Sequence, residues 1–215
     1  MRILALEFSS ARRSVALLTE DKAFEAVTET DTRSTNAFGL IGHLLKASNL
    51  DRGDIDCLAI GLGPGSYTGV RVGISIAQGW QIATGVKLLG VSSADAIAEQ
   101  ARSEEEMRGP ATCAIDAQRQ EFYTAEYELE RAEARVTQPL RIETLAQIKE
   151  RAARGEVIIG PDVLPLATRQ VFPTALALGT LASMRVDFVS GEKLQPIYLR
   201  EAAFVKAPPP RFAPR

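Results

Sequence analysis

Short apolar runs separated by turn-forming clusters open the chain. Ile3, Leu4, Ala5 and Leu6 precede Ser9-Ser10-Ala11-Arg12-Arg13-Ser14, and Val15, Ala16, Leu17 and Leu18 follow it, which is the pattern of a β-hairpin. A third strand is expected over residues 23–28, after the turn Glu20-Asp21-Lys22. Over residues 35–48 the period changes. Phe38, Ile41, Leu44 and Leu45 recur at intervals of three and four, so this segment reads as an amphipathic helix with Ser34 or Thr35 as its N-cap. Leu58, Ala59 and Ile60 begin a buried strand that runs into a glycine-rich turn at residues 61–69, and a helix is expected from there to about residue 84. A strand at 88–91 and a helix capped by Ser92 or Ser93 and ending near residue 102 complete the first half.

The charged connector at residues 103–110 is the best place for a boundary, giving lobes over 1–105 and 106–206. Beyond it, residues 112–115 and 121–128 form a second hairpin pattern around Asp116-Ala117-Gln118-Arg119-Gln120. Helix signals at 145–154 and 175–184 flank a strand at 157–159, so the second half repeats the order of the first without a residue-level repeat. The proline-rich stretch 207–215 reads as a disordered tail.

A chain of 215 residues suits either one large domain or two lobes of about 100 residues each. Its net charge of -2 gives no electrostatic reason for tight unaided binding to nucleic acid, and no aromatic–basic stripe is visible in the order of residues. Four apolar residues before Glu7 are too few for a signal-peptide core, and no later stretch approaches a membrane span, so a cytoplasmic chain is expected. Cys57 and Cys113 sit in apolar runs and read as buried, reduced thiols. The single histidine, His43, lies mid-helix, which removes Ser-His-Asp triads, Cys-His dyads and His-based zinc sites.

The turn at residues 61–69 invites a phosphate hypothesis, because backbone amides before a helix cradle anions. It lacks the Lys-Ser/Thr pair of a Walker loop, and its glycines alternate at 61, 63 and 65 around Pro64, so a turn shaped to support a packed helix is the better reading. The helix that follows carries two stripes of small residues at intervals of four, Gly69, Gly73 and Ala77, and Ser75, Gly79 and Ala83. Ile76 and Trp80 belong to its apolar remainder. A helix apolar on nearly all sides needs cover on its outer face, from a partner or from the other lobe, and the helix carrying Phe38, Ile41 and Leu45 shows the same excess. Glu7 and Asp116, with Ser9 nearby, end the first strands of the two hairpins; facing one another across a cleft they would hold magnesium or act as acid and base.

Three segments in order resemble the TsaB (YeaZ-type) family. They are Ile3-Leu4-Ala5-Leu6-Glu7-Phe8-Ser9-Ser10 with Ser14-Val15-Ala16-Leu17, then Gly63-Pro64-Gly65-Ser66-Tyr67-Thr68-Gly69-Val70-Arg71-Val72-Gly73, then Ala114-Ile115-Asp116-Ala117 with Glu121-Phe122-Tyr123. Pro196-Ile197-Tyr198-Leu199-Arg200 looks like the family's closing motif. The resemblance implies a two-lobed α/β fold of the actin-like, sugar-kinase-like (ASKHA) class, with mixed sheets flanked by helices. It also implies a non-catalytic subunit in the making of threonylcarbamoyladenosine on tRNA, with no cofactor, metal or catalytic residue of its own. The implied partners are a TsaD-like catalytic paralogue, a TsaE-like ATPase, tRNA through the complex, and a second copy of the chain when alone. The helix pair carrying Phe38, Ile41, Leu45, Gly69, Gly73, Ile76, Ala77 and Trp80 is the implied contact surface for self-association and for TsaD. Two departures stand out: Glu7 where such families usually carry Asp, and Asn36 near a position that is often histidine. The alternative from another class is an ATP-dependent phosphotransferase of sugar-kinase type, which nucleotide affinity of the isolated chain distinguishes.

Overall fold

The computed structural model describes residues 1–29, 36–162 and 169–199. Two five-stranded sheets are built to one plan. In the first, β1 (Ile3–Glu7), β2 (Arg12–Leu18) and β3 (Ala23–Glu29) form an antiparallel meander, and β4 (Cys57–Gly61) and β5 (Lys87–Val91) add parallel to β1, giving the order β3-β2-β1-β4-β5. Helix α1 (Ala37–Ser48) leads into β4, and α2 (Tyr67–Thr84) connects β4 to β5. After α3 (Ser93–Ser103) the plan repeats. The strands β6 (Gly109–Asp116), β7 (Glu121–Leu129) and β8 (Ala134–Thr144) are antiparallel, α4 (Leu145–Ala153) follows, and β9 (Ile158–Gly160) and β10 (Arg169–Gln170) run parallel to β6 and to each other, in the order β10-β9-β6-β7-β8. This duplicated plan is the expected two-lobed actin-like, sugar-kinase-like architecture.

Alternation along β1 explains how the first sheet is covered on both faces. Leu4 and Leu6 join Val15, Leu17, Leu58 and Ile60 in a core closed by Ile41 and Leu44 of α1 and by Val70, Ile74 and Ala77 of α2. Ile3 and Ala5 point the other way, where Ala16 and Ala59 are small enough for α5 (Ala175–Ser183) to lie close through Ala175, Leu178 and Ala182. The amide of Ala175 donates to the Ser14 hydroxyl at 2.7 Å, which fixes the start of α5 on β2. Helix α3 lies between the sheets. Its Ala96 packs with the first sheet, and its Ala94, Ile97, Ala98 and Ala101 pack with Cys113, Ile115 and Tyr127 of the second. Cys57 and Cys113 are buried and unbonded, and burial raises both thiols, Cys57 to about 11.

The N-cap of α1 is Asn36, whose side chain accepts from the Gly39 amide at 3.2 Å, one position beyond the expected Thr35. Ser34 and Thr35 lie outside the described residues, as does the tail at 207–215. Strand β8 was not expected from the hydrophobic pattern. It is mostly exposed and is held by its ladder to β7 and by Arg141, which pairs with Glu126 and Glu143, so there is no apolar alternation to read.

Candidate functional site

β1 and β6 are the middle strands of the two sheets, and Glu7 and Asp116 are their last residues. Asp116 lines a cleft of about 510 Å³ with Ser9, Arg13, Ser66, Gln118 and Asp162. Both its oxygens are engaged within the hairpin turn, one by the Gln118 amide at 2.8 Å and the other by the Gln118 side chain at 3.0 Å. Asp162 is a second acid in this cleft, and burial followed by the charge of Asp116 raises its pKa.

Glu7 does not face Asp116 across the cleft, and the expectation that the two form a facing pair is corrected. The side chain is fully buried, with Oε1 accepting from the Ser9 amide at 2.7 Å and Oε2 from the Ser93 hydroxyl at 2.9 Å. Its extra methylene lets the carboxyl lie against Gly61, where a Cβ would collide with it. Burial pushes the Glu7 pKa up, and the hydrogen bonds from Ser9 and Ser93 offset this only in part. Among the described residues no group of three or more His, Cys, Asp or Glu side chains is placed to hold a metal ion.

The glycine turn is occupied by the chain itself. Gly63 donates to the Ser93 hydroxyl at 3.2 Å, Ser66 donates to the Ser9 carbonyl at 2.6 Å, and Gly69 donates to the Ser66 hydroxyl at 3.3 Å. A Cβ at Gly65 would run into the Ser9 carbonyl and one at Gly69 into the Phe8 carbonyl, so these glycines let the first hairpin turn rest directly on the start of α2. Three of the turn's donors, the amides of Gly63, Ser66 and Gly69, are thereby committed to α3, the first hairpin turn and the helix cap.

The helix-pair expectation is half corrected. Gly69, Gly73 and Ala77 face inward, with Gly73 against Ile60 and Phe8 and Ala77 fully buried, because α2 must approach β1 and β4 closely. Ile41 and Leu45 are likewise core residues of α1. The second stripe, Ser75, Gly79 and Ala83, is exposed. With Phe38, Ile76 and Trp80 it lines an outward groove of about 270 Å³, Phe38 being 67% exposed. Trp80, which also lines this groove, is largely buried, and Ile82, three residues beyond Gly79 on α2, stands 88% exposed.

Comparison with known proteins places these features in a context. The family model described as "TsaD: tRNA N6-adenosine threonylcarbamoyltransferase" matches residues 28–162. The tRNA threonylcarbamoyladenosine biosynthesis protein TsaB of Escherichia coli K12 is 38% identical over 132 residues, which are 60% of this chain and 55% of that protein. The Bacillus subtilis 168 protein of the same name is 31% identical over 130 residues, 60% of this chain and 56% of its own length. The chain thus spans about half the length of the curated relatives it matches. The solved structure described as YeaZ from Pseudomonas aeruginosa superposes with a TM-score of 0.77 at 27% identity, covering 92% of this chain and 99% of that one.

Proposed function

The chain belongs to the TsaB (YeaZ) family, and from that premise we propose that it serves threonylcarbamoyl transfer to tRNA as a non-catalytic subunit docked on a TsaD-like catalytic paralogue. The observation that carries this reading is the outward groove on α2. An apolar strip of Phe38, Ile76 and Ala83, opened by Gly79 and Ser75, lets a partner helix come within backbone distance, and Ile82 extends it. The non-catalytic half is supported by Glu7 and by the Gly63, Ser66 and Gly69 amides, which are committed to internal hydrogen bonds. In this reading a second copy occupies the same face when the paralogue is absent. A TsaE-like ATPase joins the assembled pair, tRNA is held chiefly by the complex, and the chain works in the cytoplasm. No helix among the described residues is long and apolar enough to cross a membrane.

The test uses Gly79→Asp. A Cβ at Gly79 meets nothing within 4 Å, so the variant folds as the wild type does, while its charge sits in the centre of the proposed contact. Association with the co-expressed paralogue, read by analytical ultracentrifugation, is expected to fall by at least tenfold, as removal of a central contact does. Wild-type association by the folded variant would show that the groove is not the docking face.

A further inference from the structure

The fold assembles an aromatic–basic cluster that the order of residues conceals. Tyr67 opens α2, Tyr123 comes from β7 and Tyr198 from the C-terminal segment, and together they surround a hollow of about 120 Å³ beside Pro64 and Pro196. The C-terminal segment is tied down there, because the Ile197 amide donates to the Leu62 carbonyl at 2.9 Å. The Arg71 guanidinium lies 4.1 Å from the centre of the Tyr67 ring and its Nε donates weakly to the Tyr198 hydroxyl at 3.4 Å. The rings of Tyr67 and Tyr198 are 6.0 Å apart and tilted by 36°. Yet Tyr67 and Tyr198 remain 56% and 51% exposed, and among the described residues no carboxylate pairs with Arg71.

We propose that Tyr67, Arg71 and Tyr198 form a low-affinity stacking site for a nucleotide of single-stranded RNA, the base lying on a tyrosine ring and its phosphate on Arg71. Stacking on an aromatic face is indifferent to base identity, and a guanidinium already held over the Tyr67 ring and against the Tyr198 hydroxyl loses little freedom on meeting a phosphate. Tyr67 is also the first residue of an 18-residue helix, so the positive end of α2 lies on the same side as Arg71. A proline-rich peptide also suits aromatic hollows, but it leaves the charge of Arg71 unused and needs a longer row of ridges than this one hollow supplies. The site rests on the reading that the chain serves tRNA modification; it adds to RNA held by the assembled complex.

The full-length chain is titrated at low salt into fluorescently labelled single-stranded oligoadenylate RNA and followed by anisotropy. Tyr198→Ala and Tyr67→Ala are each expected to weaken binding about tenfold, the loss of one base–aromatic stack, while Tyr198→Phe stays within about twofold. Arg71→Ala is expected to reduce the slope of log affinity against log salt by about one. Circular dichroism checks that the variants remain folded. No binding by the wild type, or wild-type binding by both alanine variants, overturns the proposal. So does a Tyr198-dependent interaction with a proline-rich peptide or with AMP in place of RNA. Association with the paralogue, measured on the same proteins, separates this site from the subunit reading. A wild-type chain that binds RNA but not the paralogue sinks that reading and leaves this site, and the reverse result sinks this site alone.

Discussion

At the scale of single residues, Glu7 shows how one methylene changes the role of a strand-end acid. Its carboxyl closes a buried network in which Gly63 donates to Ser93, and both Ser93 and Ser9 donate to Glu7. Glu7→Ala leaves two buried donors without an acceptor and opens a cavity, a loss of about 3 kcal/mol or more. Glu7→Gln keeps the shape and one acceptor and costs less. The pH dependence carries the sharper signature. Burial raises the folded-state pKa above the ordinary 4.5, so the folded chain holds this proton more tightly than the unfolded chain. The contribution of Glu7 is therefore fully present below about 4.5 and is lost as pH rises through the folded value. Because glutamine cannot ionise, the variant gains on the wild type as pH increases from 4.5. Urea denaturation at pH 4.5 and 7.5 measures this; a constant gap, or one that widens against the variant at high pH, would falsify the buried-acid account.

At the scale of elements, α2 is where the sequence was half legible. Its period places residues 69, 73 and 77 on one side and 75, 79 and 83 on another, but two stripes of small residues do not say which side is inside. The flanks carry that information. Val70, Ile74 and Trp80 accompany the buried stripe, whereas Arg71, Gln78 and Ile82 flank the other, so the inward arc could have been found from its apolar neighbours. Most other elements were readable from apolar periodicity and caps. Strand β8 was not, since charge pairs rather than buried side chains hold it, and the tyrosine cluster was not, because Tyr67 and Tyr198 are 131 positions apart in sequence and meet only after Ile197 pairs with Leu62. The two faces of α2 predict opposite mutant behaviour. Ala77→Asp buries an unpaired charge against β1 and β4 and costs several kcal/mol, on the order of 3–5, enough to abolish a cooperative thermal transition. Gly79→Asp changes stability by less than about 0.5 kcal/mol, since it adds a side chain in open space on a helix where glycine is a poor former. Calorimetry on the pair decides the orientation of the helix, independently of any partner.

At the scale of the whole molecule, duplication of the sheet plan does not make two independent folding units. The second half of the chain returns to the first sheet through α5, whose Ala175, Leu178 and Ala182 cover Ile3, Ala5, Ala16 and Ala59. In exchange, α3 from the first half fills the core of the second sheet, with Ala94, Ile97, Ala98 and Ala101 against Cys113, Ile115 and Tyr127. A polar tie reinforces the exchange, the Tyr127 hydroxyl donating to Asp95 at 2.7 Å, with Thr174 donating to Gln100 at 2.7 Å from the segment that begins α5. A fragment ending at residue 105 therefore keeps the strands of the first sheet and α3 but loses the cover that α5 gives to one face, leaving Ile3, Ala5 and Ala16 open to water. It is expected to be collapsed and dye-binding, without a sharp thermal transition. The intact chain should unfold in one transition, with calorimetric and van't Hoff enthalpies equal. Tyr127→Phe tests the coupling without removing a segment. It takes a donor from the partly buried Asp95, a cost of about 1 kcal/mol, and the single transition should move down in temperature without splitting. Two resolved transitions in the variant, or a cooperative transition in the 1–105 fragment, would mean that each sheet is stabilised by its own half of the chain and that the exchange of α3 and α5 is secondary.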